Sequence, residues 1–65
     1  MSNENIHSSQ IGLRIRTARK NKGLNQTELA KLLGKSLRTI QKYESGEIEV
    51  SIAMINEIAK VLECD

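Results

Sequence analysis

Two cationic side chains, Arg38 and Lys42, stand four residues apart in the middle of the chain. The sequence around them predicts a short helix that begins behind Ser36, because Ser is a preferred N-cap residue. Residues at i, i+3 and i+4 share one helix face, so Ile40 and Tyr43 face inward while the two cations face outward. A guanidinium donates parallel hydrogen bonds to planar acceptors, and an ammonium attracts anions. The sequence therefore predicts a rigid helix with a cationic outer face.

A second helix is predicted immediately before this one. Asn25 is its N-cap, and Glu28, three residues later, completes a capping box. Gly34 separates the two helices, and Gly accepts the positive φ angle that a sharp turn needs. Ala30 is small enough to let two steeply crossing helices approach each other closely. Residues 25–46 are therefore predicted to form two short helices joined by a tight turn.

This stretch resembles the helix-turn-helix of the lambda-repressor-like (Cro-like, XRE-type) DNA-binding proteins. The matching positions in the stretch are Gln26, Thr27, Leu29, Ala30, Gly34, Ser36, Ile40, Tyr43, Glu44 and Gly46. The match continues upstream and downstream of the stretch at Ile11, Gly12, Arg14, Ile15, Arg16, Arg19, Ser51, Ile55, Ile58, Ala59 and Leu62. The resemblance implies that the chain binds double-stranded DNA.

The fold class implied by the resemblance is all-α, a compact bundle of four or five short helices. Residues 1–8 show neither apolar periodicity nor a helix cap, so we expect a flexible N-terminal arm there. Residues 9–65 are predicted to form one helix-turn-helix domain. Its first helix is predicted to run from near Ser9 to Gly23, where Gly is the C′ residue.

A fourth helix is predicted after the loop formed by residues 47–50. Ser51 is its cap, and the helix is expected to run to about Leu62. Apolar residues recur along it at helical spacing, which predicts one face turned toward the core. These residues are Ile55, Ile58, Ala59 and Leu62.

The net charge of +2 is distributed unevenly along the chain. Residues 1–43 hold nine Lys and Arg against two Glu, a net charge of +7, whereas residues 44–65 hold one Lys against six acidic residues, a net charge of −5. A basic half is the usual electrostatic signature of a nucleic-acid binder, although a solvated charged surface gives the same pattern.

Several other functions find no support in the sequence. The single Cys excludes an internal disulfide, and no Cys/His cluster predicts a metal site. We expect no catalytic residues and no cofactor, because no acid/base pair or phosphate-binding Gly-rich loop is present. No apolar run approaches the roughly 20 residues of a membrane span, and the polar N-terminus does not fit a signal peptide. A cytoplasmic protein, encoded by a bacterium or phage, is expected.

The resemblance assigns two kinds of DNA contact. The predicted helix 37–44 would enter the major groove and read base edges, with Arg38 bidentate to guanine, Lys42 one turn further on, and Leu37 against a thymine methyl group. The full set of base-reading candidates is Leu37, Arg38, Thr39, Gln41 and Lys42. Contacts to phosphates are expected from the helix N-terminus behind Asn25 and from several polar side chains. These candidates are Arg19, Asn25, Gln26, Lys35, Ser36 and Ser45.

Arg19 and Glu44 occupy positions that pair with each other in the family. The pair would join the first helix to the end of the third and leave one guanidinium edge for a phosphate. The alternative is that Arg19 is an ordinary surface charge.

Relatives in this family bind inverted repeats as two-fold dimers, and the apolar residues left over here are candidates for a self-association patch. These residues are Ile48, Val50, Ile52 and Met54; the alternative is that they cover the core beneath the loop. Two features depart from the family pattern. Val50 replaces a common proline, and Glu47 and Glu49 replace basic residues that touch phosphates. Cys64 is expected to be a buried thiol.

The leading hypothesis is a small transcriptional regulator that represses by occupying an operator as a homodimer. Two alternatives share the DNA-binding surface. One is an antitoxin, whose acidic C-terminal half would hold a basic protein partner. The other is the controller protein of a restriction–modification system.

Overall fold

Four helices make up the computed structural model, which describes the backbone of residues 3–63 and the side chains of residues 9–62. They are α1 (Asn3–Asn21), α2 (Gln26–Leu33), α3 (Leu37–Ser45) and α4 (Ile52–Glu63). No strand occurs in this part of the chain. The predicted all-α class is confirmed, and the predicted third and fourth helices lie within one residue of their observed ends.

The first helix begins at Asn3, so its predicted start near Ser9 is wrong. Residues 3–8 contain neither Gly nor Pro, and extending a helix that has already formed requires no further nucleation. The flexibility of segment 1–8 stays a prediction. Cys64 lies outside the described residues, and so does the side chain of His7.

Local hydrogen bonds cap α2 at both ends, and the C-terminal cap forms the turn into α3. The Glu28 backbone N–H donates to Asn25 Oδ1 at 2.7 Å, and the Asn25 N–H donates to Glu28 Oε1 at 2.8 Å, which completes the predicted capping box. Gly34 has a φ of +67°. The next N–H group, that of Lys35, returns to the Ala30 carbonyl at 2.9 Å, as in a Schellman turn. The predicted role of Gly34 is confirmed.

The core forms where all four helices meet. Leu29 of α2 and Ile40 of α3 have no exposed surface. Around them lie the other buried apolar residues, Ile15, Ala30, Tyr43, Ile58 and Leu62. Each comes from an apolar stripe that the helical periodicity predicts, because burying these stripes removes their apolar surface from water.

The backbones of α1 and α3 touch at Gly12. A Cβ atom built on Gly12 would overlap the Tyr43 carbonyl oxygen and lie 2.6 Å from the Glu44 carbonyl oxygen. Only a residue without a side chain fits this crossing. The contact therefore sets the distance between α1 and the C-terminal half of α3.

Within residues 3–63, no helix is both long and apolar enough to span a lipid bilayer. Among the side chains of residues 9–62, no cluster of three His, Cys, Asp or Glu residues could hold a metal ion.

We predict that Gly12→Ala destabilises the domain by about 1–3 kcal/mol, because backbone must shift to admit the methyl group. On helix propensity alone, the same change would stabilise α1 by about 0.8–1.0 kcal/mol. The sign of the effect therefore tests the close approach. Thermal unfolding followed by circular dichroism should show a fall of about 5–15 °C in melting temperature.

Thr17→Ala is the matched control, because Thr17 is exposed on the same helix. It should leave the melting temperature unchanged or raise it slightly through helix propensity. A Gly12→Ala variant that melted at or above the wild-type temperature would contradict the packing at this crossing.

Candidate nucleic-acid interface

The outer face of α3 is polar and open to solvent. Arg38 and Gln41 are exposed, and Leu37, at the first position of the helix, keeps 41% of its surface exposed. Ile40 and Tyr43, on the opposite face, are buried in the core. Because the inner face is anchored, the outer side chains stand on a rigid helix.

Hydrogen bonds of two hydroxyl groups cap the N-terminus of α3. Ser36 Oγ accepts the Thr39 backbone N–H at 3.1 Å, and the two side-chain oxygens lie 2.9 Å apart. Thr39 is half-buried, whereas Lys35 and Ser36 are exposed. The Ser36 cap is therefore as predicted, and the Thr39 hydroxyl is occupied by a local hydrogen bond.

Two open grooves flank α3. The first, here called the α1–α2–α3 groove, is lined by Arg16, Arg19, Asn25, Gln26, Gln41, Glu44 and Ser45. The second, here called the α3 groove, is lined by Arg38, Gln41, Lys42, Ser45 and Glu47. Gln41 and Ser45 belong to both, so they form the ridge between the grooves. The structure thus brings most of the predicted site residues onto one continuous surface.

A carboxylate connects three helices beneath this surface. Glu44 Oε2 accepts a hydrogen bond from Arg19 Nε at 2.7 Å, and Glu44 Oε1 accepts one from Arg19 Nη2 at 3.0 Å. Gln26 Nε2 also donates to Glu44 Oε1, at 3.0 Å. Arg19 Nη1 donates to the Leu24 carbonyl at 2.9 Å. The side chains of Arg19 and Glu44 are only 8% and 4% exposed.

This network changes the roles available to Arg19 and Gln26. Arg19 is buried, and its Nε, Nη1 and Nη2 atoms all donate to groups of the protein. Little of the free guanidinium edge expected for a phosphate is accessible. The Gln26 amide nitrogen, expected to bond a phosphate, faces Glu44. Through Glu44, Arg19 connects α1 to α3 and Gln26 connects α2 to α3.

Arg16 is a further candidate for the site, named above only as a position that matches the family. It is exposed and lines the α1–α2–α3 groove together with Gln41 and Ser45. A signal for it existed in the sequence, because Arg16 lies three residues before Arg19 and therefore shares its helix face. With Arg19 paired to Glu44, Arg16 supplies the available positive charge in this groove.

The predicted self-association patch divides into two pairs of residues. Ile48 and Ile52 are 37% and 78% exposed. Val50 and Met54 are half-buried and pack against the core. For these two residues the alternative given above applies, namely that they cover the core beneath the loop. The predicted Ser51 cap is present, since Ser51 Oγ accepts the Met54 N–H at 3.1 Å.

Comparison with known proteins identifies the family. A family model described as Helix-turn-helix matches residues 15–65, a span that includes α2, the Gly34 turn and α3. This chain belongs to the XRE-type helix-turn-helix family. The resemblance to lambda-repressor-like proteins is thereby confirmed, and α2 with α3 forms the helix-turn-helix of the domain.

Two curated proteins are similar in sequence to this chain. A candidate HTH-type transcriptional regulatory protein of Pyrococcus furiosus is 38% identical over 52 residues, which cover 80% of this chain and 16% of that protein. An uncharacterized transcriptional regulator in the ATPase CF(0) region of Rhodospirillum rubrum is 39% identical over 54 residues, covering 83% of this chain and 50% of that protein. The chain therefore spans half or less of the length of these relatives.

We predict that Glu44→Ala destabilises the helix-turn-helix domain by about 3–5 kcal/mol, because it leaves the Arg19 guanidinium buried without a counter-charge. Urea unfolding followed by circular dichroism measures this change. The control is Glu57→Ala, which removes one partner of the exposed Glu57–Lys60 pair, 3.8 Å apart on α4. That change should cost no more than about 1 kcal/mol.

A double variant tests the cause of the loss. Arg19→Met with Glu44→Leu removes both charges together, and replacement of a buried pair by apolar residues is often neutral. It should recover most of the stability lost in Glu44→Ala. Equal losses of unfolding free energy for Glu44→Ala and Glu57→Ala would show that the buried network stabilises the domain no more than an exposed ion pair does.

Proposed function

We propose that this chain binds double-stranded DNA in a sequence-specific manner, as the DNA-reading domain of a transcriptional regulator that represses by occupying its operator. The observation that carries the proposal is the outer face of α3. It presents Leu37, Arg38 and Gln41 to solvent from a helix whose other face is anchored in the core. Membership of the helix-turn-helix family and the names of the two relatives support the same function.

The N-terminal half of α3 has the shape and chemistry for base readout. The major groove of B-DNA is about 12 Å wide and admits one helix, whose first residues reach the base edges. Arg38 is free to make two hydrogen bonds to guanine O6 and N7, while Leu37 meets a thymine methyl group. Gln41, on the ridge, suits the N6 and N7 atoms of adenine.

The remaining base-reading candidates have lesser roles in this proposal. Lys42 is half-buried in the α3 groove and can reach a base or a phosphate. Thr39 already shares a hydrogen bond with Ser36. We therefore assign Thr39 mainly to the stability of the helix N-terminus.

Phosphate contacts are assigned to the residues around the base-reading face. The N-terminus of α2 carries backbone N–H groups without intrahelical partners and the positive end of the helix dipole, both of which favour an anion. Asn25 is exposed there, and Arg16 lines the same groove. Lys35, Ser36 and Ser45 line the two ends of α3 and complete the set.

Binding as a homodimer is part of the proposal. One recognition helix contacts only a few base pairs, so two copies would read an inverted repeat whose halves lie roughly 34 Å apart. Ile48 lies in the loop that follows α3, Ile52 is the first residue of α4, and both are exposed apolar residues. We assign the dimer contact to these two residues, since Val50 and Met54 pack against the core.

Fluorescence anisotropy with labelled duplexes tests DNA binding. Wild-type affinity should fall steeply between about 50 and 200 mM salt, because phosphate contacts release counterions. We predict that Arg38→Ala weakens binding to the duplex that the wild type binds most tightly by about 1–3 kcal/mol and relaxes preference at one base pair.

Lys60→Ala is the matched control, because it removes an equal charge from the exposed surface of α4. It should leave sequence preference unchanged. Salt-independent binding, or equal effects of Arg38→Ala and Lys60→Ala on every duplex, would contradict the assignment of readout to α3.

Dimer formation is tested with duplexes that carry one or two half-sites. We predict that Ile52→Asp lowers affinity for the inverted repeat at least about tenfold, which is a loss of about 1.4 kcal/mol of dimer contact. Binding to a single half-site should change much less, because Ile52 belongs to α4 and lines neither of the two grooves that flank α3. Equal losses on both duplexes would refute this dimer surface.

A further inference from the structure

An acidic side chain lies at the end of the cationic face of α3. Glu47 is exposed, and it lines the α3 groove together with Arg38, Gln41, Lys42 and Ser45. The groove therefore combines two positive side chains with one negative side chain. A duplex that fills the groove meets all three charges.

The backbone holds Glu47 at this place. Gly46 has a φ of +80°, which reverses the chain after α3. The Glu47 N–H then donates to the Lys42 carbonyl at 3.0 Å and to Ser45 Oγ at 3.3 Å. The turn also packs against α1, since a Cβ on Gly46 would lie 2.8 Å from the Ser9 Cα.

Glu47 forms no ion pair with the side chains of residues 9–62. The two ion pairs among residues 9–62 join Arg19 to Glu44 and Lys60 to Glu57. In that part of the chain no Lys or Arg nitrogen lies within 4.0 Å of the Glu47 carboxylate. Its negative charge is therefore presented to whatever approaches the groove.

We infer that Glu47 weakens the binding of every duplex by repelling phosphates beside the C-terminal end of α3. The inference rests on the proposed DNA binding. A carboxylate can also accept a hydrogen bond from cytosine N4 in the major groove. Base edges, however, are reached by the first residues of a recognition helix, whereas Glu47 lies two residues beyond Ser45, the last residue of α3.

The repulsion limits non-specific association. Binding to arbitrary DNA depends almost wholly on phosphates, which occur once per roughly 1.7 Å of duplex axis. A fixed negative charge among Arg38 and Lys42 reduces that attraction for all sequences. Retention on DNA then depends more strongly on the base contacts of α3.

Glu47→Gln tests the inference, because it removes the charge and keeps the backbone N–H that makes both hydrogen bonds. Anisotropy is measured on several unrelated duplexes at low and high salt. Affinity should rise roughly two- to fivefold on each duplex at low salt, and the gain should shrink as salt rises. Glu57→Gln makes the same change in net charge on the exposed surface of α4 and should produce a smaller gain.

Each outcome separates the inference from the function on which it rests. If the wild type shows no salt-dependent binding, the proposed function fails, and the inference fails with it. If the wild type binds but Glu47→Gln behaves like Glu57→Gln, only the inference is overturned. Weaker binding on every duplex would overturn the inference, and a loss confined to duplexes with cytosine at one position would assign Glu47 to base readout instead of repulsion.

Discussion

The candidate DNA surface depends on the hydrogen bonds that the buried Glu44 carboxylate accepts. It accepts hydrogen bonds from Arg19 of α1 and Gln26 of α2, and it belongs to α3. Burial of an ion pair is costly, and here charge-assisted hydrogen bonds offset that cost by satisfying both oxygens. The arrangement fixes the N-terminus of α2 against the C-terminal half of α3. The N-terminus of α2, which we propose as a phosphate anchor, and α3, which we propose as the base-reading helix, therefore keep a constant geometry.

Close packing supports the same geometry from below. Gly12 lets the backbone of α1 touch that of α3 where Tyr43 and Glu44 offer their carbonyl groups. Ile40 and Leu29 fill the space between α2 and α3 without any exposed surface. Because these contacts involve backbone and fully buried side chains, α3 cannot tilt without breaking them. The buried side chains therefore hold α3 in place, and its outer side chains project from a rigid helix.

The electrostatic surface differs from what the net charge suggests. Arg19 is neutralised beneath the surface, whereas Arg16, Arg38 and Lys42 line the two grooves. The acidic half of the chain contributes Glu47 directly to one of these grooves. The sequence gives the number of charges, but the fold decides which charges a duplex would meet. Pairing and burial withdraw Arg19 from the surface, and the packing of the helices brings other charged side chains together in the grooves.

Local signals in the sequence determined α2, α3 and the turn between them, whereas they did not give the start of α1. The Asn25 box, the Ser36 cap and the Gly34 turn depend on residues at most five apart, so their hydrogen bonds could be predicted from spacing alone. Tertiary structure decided the orientation of Gln26 toward Glu44 and the need for a glycine at position 12, because each involves residues at least 18 apart in the chain. Helix periodicity cannot specify which neighbour a side chain meets; only the packing of the four helices does.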